Sequence, residues 1–505
     1  MPFIIALILV LVMLNLRGVK ESVTALAPIF IIFVVTHAVL LGYGILSHSG
    51  QFPQVAEQFS RHFGSDVKTI GGVAILAIFL RAFSLGGGTY TGLEAVSNGM
   101  QILRTPKVET GKRTMLYMAT SLAFTAGGLF LCYLLFAIKP VEGKTLNAIL
   151  ADSIFGLWPG GYWLALITIL SEGALLIVGA QAGFTDGPRV MANMAVDSWF
   201  PRRFAALSER LTMQNGVLLM GIAALALLIY SRGSVSTLVV MYSINVFVTF
   251  SLSQFGMARF FFRNRHRETQ WKQHIVIHLI GLLLCVTILV VTVYEKFTEG
   301  GWITLLITSI AIALCYLIRR HYLRARALLP QPEEMLAQMP AVGAYNSDSL
   351  DPRAMTAILL VSGYDGFGLH AFLSIIRSFP NVYKNYIFVS VAEIDSGSFK
   401  GIAQMEALRE SVRHNLKKYV TLARKHGFAA GYRMDMATDV PFTATELCKA
   451  AVKGFPRSTV FAGILVFRHE QFFNRLLHHE TALAIQRRLQ WEDITAVILP
   501  IKVSL

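Results

Sequence analysis

The chain has 505 residues, of which 54% are hydrophobic and 15% charged, and its mean hydropathy is +0.56. This composition is typical of a membrane protein and excludes an ordinary water-soluble globular protein. The formal net charge is +15, but most of the excess lies in short loops between apolar segments. Such a distribution follows the positive-inside rule, so we expect a lipid bilayer and not nucleic acid as the partner. The four cysteines fit no metal-ligand spacing and no disulfide framework.

The first apolar stretch, residues 2–14, is too short to cross a bilayer core of about 30 Å, because a helix rises about 1.5 Å per residue. It also lacks the basic start and the small-residue cleavage site of a secretory signal peptide. We therefore expect it to be the second part of a spanning helix whose first part is absent from this chain.

Eight fuller apolar segments follow and are predicted to span the membrane: 23–46, 70–103, 115–138, 162–183, 216–230, 235–257, 275–293 and 302–318. Arginine and lysine are frequent in alternate loops, at 104–113, 189–210, 259–272 and 319–326, and sparse in the loops between them. The rich loops are predicted to be cytoplasmic. The sequence thus predicts a multi-pass protein of the cytoplasmic (inner) membrane, with everything beyond residue 318 in the cytosol.

The distal part of the chain has the pattern of a separate α/β domain. Residues 329–353 contain four prolines and no helical or strand period, which is typical of a linker. Strand-like runs then appear at 355–362, 385–394, 428–436, 458–467 and 494–503, and helical patterns lie between them. This alternation predicts a doubly wound parallel sheet. We therefore predict a transmembrane permease domain at 1–328, a linker at 329–353 and a cytosolic α/β domain at 354–505.

One predicted span is interrupted in a way that indicates a transport site. Four glycines break the segment 70–103: Gly86, Gly87, Gly88 and Gly92. Each glycine costs a helix about 1 kcal/mol relative to alanine. Thr91 and Glu94 follow closely, and a broken helix that carries hydroxyl and carboxylate groups is how transporters bind solutes or ions at mid-membrane. The alternative is a glycine-lined packing surface with Glu94 turned toward an internal partner.

Several stretches resemble the amino acid–polyamine–organocation (APC) superfamily of permeases, and within it the KimA-type proton-coupled potassium importers. LRAFSLGGGTYTGLEAVSNG (80–99) is similar to their broken sixth helix, and residues 185–216 to their loop between helices eight and nine. Residues 241–257 are similar to their tenth helix, and NLRGVKES (15–22) to the junction of helices four and five. Since the superfamily is built on two inverted five-helix repeats, the resemblance implies a partial APC fold that lacks its first three helices.

The resemblance also implies roles for individual residues. Thr91 and Glu94 match positions that KimA-type importers use for potassium, and hydroxyl and carboxylate oxygens suit a hard monovalent cation. Glu94 is equally suited to take up a coupling proton. Tyr242, in the stretch similar to the tenth helix, is predicted to contribute a phenol oxygen. The alternatives are that Thr91 bonds to its own helix backbone and that Tyr242 is an ordinary packed aromatic.

Two further charges within the apolar segments have open interpretations. Arg81 either pairs with a carboxylate or extends to the outer interface. Glu172 is either a proton-relay residue or the partner of a buried cation. The sequence does not decide between these alternatives.

The distal domain resembles universal-stress-type domains. Its turn at 362–371 places glycines at a helix N-terminus, where a phosphate can bind. The nucleotide fingerprint of that family is not evident in residues 467–480, so a plain strand–helix turn is favoured. The resemblance implies a homodimer through this domain and a nucleotide regulator.

The function predicted from these observations is secondary active transport, specifically proton-coupled potassium uptake with no cofactor. One alternative keeps the fold but carries an amino acid or another organic cation. Another is a truncated, non-transporting membrane sensor or scaffold. Since no pattern of hydrolytic or redox catalysis and no Walker-type phosphate loop is present, we do not expect an enzyme.

Overall fold

The computed structural model describes residues 1–18, 22–86, 92, 96–97, 99–100, 103–329, 331–337, 346, 349–397, 402–467, 477 and 481–503. These residues form two compact units whose chain ranges interleave. The first unit comprises Met1–Val12, Val19–Asp186 and Gly221–Ile312. The second unit comprises Met13–Gly18, Gly187–Met220 and Ala313–Leu505.

The proximal part of the chain is helical. Its helices are α1 (Pro2–Leu16), α2 (Ser22–Ser47), α3 (Phe52–Ile70), α4 (Gly72–Gly86), α5 (Lys107–Leu135), α6 (Leu146–Phe155), α7 (Gly161–Val196), α8 (Gln214–Ser231), α9 (Val235–Arg263), α10 (Trp271–Lys296) and α11 (Trp302–Ala327). Each of the eight predicted apolar segments overlaps one of these helices. Residues 52–69 lie between two of the predicted spans and were expected to be part of a loop, but they form most of α3.

Six helical stretches in the described part of the chain are long and apolar enough to cross a membrane, or seven if one bent pair is counted. The bent pair is α3 and α4, which meet at an angle of 116° next to Gly71. The longest stretch, Trp271–Ala337, contains both α10 and α11. A π-turn joins these two helices and includes Gly300, whose φ of +113° breaks the helical geometry.

The ends of several helices follow from their capping residues. The side chain of Thr145 accepts a hydrogen bond from the backbone N–H of Ala148 and begins α6. Ser234 does the same for Thr237 and begins α9. An oxygen at this position satisfies an N–H group that has no partner inside the helix, which favours these starting points.

The second unit contains a five-stranded parallel sheet with strand order β3-β2-β1-β4-β5. Its strands are β1 (Thr356–Leu360), β2 (Asn385–Glu393), β3 (Ala429–Ala437), β4 (Ser458–Phe467) and β5 (Ala496–Val503). The short helix α12 (Pro332–Ala337) precedes the sheet, and α13 (Gly366–Ser378), α14 (Ile402–Lys425), α15 (Val440–Gly454) and α16 (Thr481–Trp491) connect or follow its strands. The predicted parallel α/β architecture is therefore confirmed.

Alternate residues of the strands pack against helices on opposite faces of the sheet. Leu359 of β1 lies in one buried core together with Phe372 of α13 and Tyr419 of α14. Its neighbour Ile358 lies in a second core that includes Cys448 of α15. Because side chains alternate along a strand and both faces are covered, the strands read in the sequence as nearly continuous apolar runs.

Candidate transport site and ligand cavity

The structure describes only part of the predicted transport site. Thr91, Glu94, Gly87 and Gly88 lie outside the described residues. Gly86 is the last residue of α4, and Gly92 has a φ of +94°. A φ of this sign lies outside α-helical geometry, so the helix does not continue through Gly92. Residues other than glycine rarely adopt such a φ, which favours glycine at this position.

Tyr242 lies on α9 and is 47% exposed, whereas its neighbours Met241 and Ser243 are buried. The tyrosine side chain therefore faces away from the packed side of α9.

Four polar side chains from four helices meet inside the first unit. We call them the His37 cluster, and they are His37 on α2, Tyr133 on α5, Asn147 on α6 and Glu172 on α7. Nε2 of His37 lies 2.9 Å from Oε1 of Glu172. Nδ2 of Asn147 donates to the same carboxylate oxygen at 2.9 Å, and Oη of Tyr133 donates to Oδ1 of Asn147. The cluster is thus a continuous hydrogen-bonded chain from α2 to α5.

The second ring nitrogen of His37 is held by the backbone. Nδ1 lies 2.9 Å from the carbonyl oxygen of Phe33, one turn earlier in α2. A carbonyl oxygen can only accept a hydrogen bond, so Nδ1 carries a hydrogen. This contact directs Nε2 toward Glu172.

The helices that carry the cluster also share an apolar core. Leu40 and Leu41 of α2 are buried together with Leu150 and Ile154 of α6. His37 itself is only 3% exposed. Polar groups in such surroundings interact more strongly with one another than they do in water, because few other dipoles compete.

Sequence reasoning singled out Glu172 but missed His37. A histidine inside the otherwise apolar segment 23–46 is the signal that was available. The other ambiguous charge, Arg81, places its Nε 3.2 Å from Oε2 of Glu295 and remains 56% exposed at its side chain. Arg81 therefore pairs with a carboxylate, which is the first of the two alternatives considered for it.

The second unit contains a cavity of about 920 Å³ at the carboxyl ends of its strands. Val361 follows β1, Ser390 lies in β2 and Gly463 in β4, and all three line this cavity. In the strand order, β2 and β3 lie on one side of β1, and β4 and β5 lie on its other side. The direction in which strands are added to the sheet therefore reverses at β1. Ligands of open α/β sheets bind at this switch point, in the crevice at the carboxyl ends of the strands.

The loop between α7 and α8 forms another wall of the cavity. Ala206, Ser208, Glu209 and Arg210 of this loop line it. Ala206 pairs with Asp395 in an isolated antiparallel bridge. The backbone N–H of Ser396 donates to the carbonyl of Ala205 at 3.0 Å. A ligand in the cavity would thus touch both the sheet and this loop.

The turn after β1 is closed by the protein's own side chains. Oδ1 of Asp365 accepts a hydrogen bond from the N–H of Gly368 at 2.9 Å, at the start of α13. Oη of Tyr419 donates to the carbonyl of Gly363 at 2.9 Å, and burial raises the pKa of Tyr419. Since a carboxylate already caps this helix, the contacts favour a plain strand–helix turn.

Comparison with known proteins identifies the family. The family model described as amino acid permease matches residues 2–318. The chain is 30% identical over 339 residues to the potassium transporter KimA of Bacillus subtilis (strain 168), in an alignment that covers 66% of this chain and 54% of KimA. The chain therefore spans about half the length of the curated relative that it matches. On this evidence it belongs to the amino acid permease family of the APC superfamily, as a multi-pass membrane protein.

Proposed function

We propose that this permease imports potassium and couples the import to proton movement. The observation that carries the proposal is the 30% identity to the potassium transporter KimA over 339 residues. The TGLEAVSNG stretch at 91–99 adds support, because Thr91 and Glu94 offer oxygen ligands beside glycines that interrupt a helix. Tyr242, on α9 and 47% exposed, would add a phenol oxygen.

Growth under potassium limitation tests this proposal. The chain, expressed in a strain that lacks its own high-affinity potassium uptake, is expected to restore growth at low potassium. Glu94→Ala should abolish the rescue, because it removes the carboxylate proposed to hold the ion. Glu57→Ala is the matched control, since Glu57 is an exposed α3 residue paired with Arg61. Full rescue by Glu94→Ala would remove Glu94 from the site.

The other oxygen ligands are tested in the same strain. Tyr242→Phe removes one oxygen and keeps the ring, and Thr91→Val removes a hydroxyl at nearly constant volume. We expect each variant to require more external potassium for half-maximal growth than the unsubstituted chain. An unchanged requirement in Tyr242→Phe would make Tyr242 a packing residue only.

An amino acid or another organic cation is the second candidate substrate. The description of the matching family, amino acid permease, favours it. Uptake of labelled amino acids distinguishes the two proposals. Amino acid uptake without rescue at low potassium would identify an amino acid, and not potassium, as the substrate. If the chain shows neither amino acid uptake nor rescue, a non-transporting sensor or scaffold is favoured.

We further propose that the protein lies in the cytoplasmic membrane, with residues 1–328 as the permease domain and 329–353 as a linker. Residues 354–505 would then form a cytosolic domain of the universal-stress type that mediates a homodimer. The concentration of arginine and lysine in alternate loops supports this orientation. Accessibility of single cysteines to a membrane-impermeant reagent tests the orientation, and mass photometry of the detergent-solubilised chain tests the dimer.

The cavity of the second unit supports a regulatory role for that unit. We propose a nucleotide as its ligand, with the phosphates at Arg210 and away from Glu209 and Asp439, which also line the cavity. Calorimetric titration of the full chain with ATP and with a cyclic dinucleotide tests this. Arg210→Gln should weaken binding, whereas the exposed Arg203→Gln should not. Absence of heat from both nucleotides would exclude this class of ligand.

A further inference from the structure

We propose that His37 and Glu172 together form a proton-binding site inside the first unit, and that this site carries the proton of the transport cycle. The first half of the proposal stands on the geometry of the His37 cluster. The second half rests on the proposed proton-coupled function.

The contact between His37 and Glu172 requires one shared proton. Because Nδ1 of His37 donates to the carbonyl of Phe33, Nε2 of a neutral imidazole has only a lone pair. An ionised carboxylate likewise offers only lone pairs. The 2.9 Å separation of Nε2 and Oε1 is a hydrogen-bond distance, so one proton lies between them. The proton belongs formally either to an imidazolium or to a carboxylic acid, and in both forms the pair is neutral.

The remaining members of the cluster determine what happens when the proton leaves. Asn147 must turn Nδ2 toward Glu172, because a carboxylate oxygen facing it can only accept, and its Oδ1 then accepts from Tyr133. These neutral donors support the negative charge of Glu172 but do not cancel it. Without the shared proton the cluster therefore carries one negative charge, and two lone pairs face each other.

The titratable groups that the helices present to this cluster are few. Among the residues that the structure describes there, α2 contributes His37, α7 contributes Glu172, and α5 contributes Tyr133 with the adjacent buried Cys132. α6 contributes the amide of Asn147. Among these groups, the contact between His37 and Glu172 is the one whose two facing atoms need a shared proton.

The two members of the pair differ in exposure. The Glu172 side chain is 20% exposed, whereas that of His37 is 4% exposed. The carboxylate is therefore the more accessible member of the pair. The deprotonated cluster carries one negative charge and the protonated cluster carries none, so proton binding changes the charge of this site during the transport cycle.

Solution measurements on the full chain test the proton site directly. Nitrogen-15 NMR of the histidines, recorded in lipid nanodiscs between pH 5 and 9 (a range of about two units on each side of neutrality), reports the state of His37, and His37→Gln assigns its signal. We expect the Nε2 resonance to titrate within this range. In Glu172→Gln the imidazolium loses its carboxylate partner, so we expect at least about tenfold weaker proton binding by His37.

His278 is the internal control for this measurement. Its Nδ1 lies 2.7 Å from Oε1 of Gln254, so its partner is a neutral amide and not a carboxylate. The His278 signal should not change in Glu172→Gln. A His37 signal that stays constant over the whole pH range would show a permanent ion pair and overturn the proposal. Glu172→Asp keeps the carboxylate and should restore the proton binding that Glu172→Gln weakens, which separates loss of the charge from misfolding.

Transport tests the coupling role. In proteoliposomes we expect the proton flux that accompanies potassium flux to be at least about tenfold smaller in Glu172→Gln and in His37→Gln than in the unsubstituted chain. In Glu57→Gln this proton flux should be unchanged. An unchanged proton-to-potassium ratio in Glu172→Gln would overturn the coupling role. If the unsubstituted chain moves no potassium, the proposed function fails, and the NMR titration alone decides whether the cluster binds a proton.

Discussion

The apolar helices of the first unit and the sheet of the second unit place their large apolar side chains in opposite ways. In the first unit, large apolar side chains are exposed, such as Leu283 at 68% and Phe79 at 61%, while the polar His37 is buried. In the second unit, Phe388 and Tyr386 are almost fully buried at 0% and 1%. The difference shows that each unit is folded for its own solvent. Hydrocarbon surrounds the first, so burial of apolar groups does not drive helix association there, whereas it does in the second.

The two units also differ in the surroundings of their polar contacts. In the second unit, the capping side chains of Asp365 and Asp439 lie at helix ends and are not buried. In the first unit, the His37 cluster lies between helices. A polar group inside a bilayer protein must find its partner within the protein, and Glu172 finds two, His37 and Asn147.

The largest expected change in stability comes from removing a buried aromatic side chain from the second unit. Phe388→Ala should lower the free energy of unfolding by about 3–5 kcal/mol, because it leaves a cavity in a closed core. Phe79→Ala, at an exposed position of α4, should cost much less.

The rate at which Cys448 reacts with a thiol reagent measures opening of the second unit. Burial raises the pKa of Cys448 to about 12, so the closed state contains almost no reactive thiolate.

Phe388→Ala should therefore speed labelling of Cys448 at least about a hundredfold. Mass spectrometry of the peptide that contains Cys448 separates it from the three other cysteines. Equal labelling rates in Phe388→Ala and the unsubstituted chain would contradict the expected dependence of this unit on apolar burial.

The next largest difference is expected when a lysine replaces an exposed apolar side chain in each unit. Leu283 lies near the middle of α10, and Leu283→Lys should cost about 2.5–3.5 kcal/mol, the cost of a charged side chain at the centre of a spanning helix. Val382→Lys, at a 41% exposed position of the second unit, should change stability by less than about 0.5 kcal/mol. Recovery of monodisperse protein from membranes measures the effect of Leu283→Lys, and the rate of Cys448 labelling measures the effect of Val382→Lys. Comparable tolerance of both substitutions would contradict a lipid environment for Leu283.

Loss of a helix cap should have a smaller effect. Oδ1 of Asp439 accepts a hydrogen bond from the N–H of Phe442 at 2.9 Å. Asp439→Ala should cost about 1 kcal/mol and speed Cys448 labelling about fivefold. Asp439→Asn retains an acceptor oxygen and should retain most of the stability. If Asp439→Asn is as unstable as Asp439→Ala, the carboxylate charge matters more than the cap.

The smallest expected effect is a pH dependence of the second unit. Burial lowers the pKa of His370, and nearby Arg377 lowers it further. The folded state then binds fewer protons than the unfolded state, so the contribution of His370 to stability is present above its ordinary pKa and is lost as the pH falls below it. His370→Gln should label more slowly than the unsubstituted chain at pH values below the ordinary histidine pKa of about 6.5, and His414→Gln, at an exposed position of α14, should not. A ratio of labelling rates, His370→Gln over the unsubstituted chain, that rises as the pH falls below about 6.5 would reverse the sign and contradict this account.

Local patterns in the sequence were sufficient for much of the architecture. The predicted strand 458–467 coincides with β4, and 385–394 with β2, because a strand buried on both faces is a continuous apolar run. α3 was missed because its residues are as polar as those of a loop. Contacts between distant residues were also out of reach. His37 and Glu172 are 135 positions apart, and Ala206 pairs with Asp395 across two regions of different composition.

The candidate transport site was predicted from local sequence and from resemblance. Gly92, with its positive φ, agrees with an interruption of helix geometry, while Thr91 and Glu94 remain predictions. Single-residue chemistry did identify Glu172 as unusual, since a carboxylate in an apolar segment needs a partner. Only the three-dimensional packing of α2 against its neighbours supplies that partner.

The central position of β1 has a consequence for synthesis of the protein. β1 is the first strand made, yet its neighbour β4 begins only at Ser458. About 100 residues must therefore leave the ribosome first, which takes about 5–20 s at ordinary elongation rates. During that interval the backbone N–H and C=O groups along one edge of β1 have no partner strand. Slow or paused translation between residues 360 and 458 should thus raise the demand for chaperones and the fraction of nascent chains that aggregate.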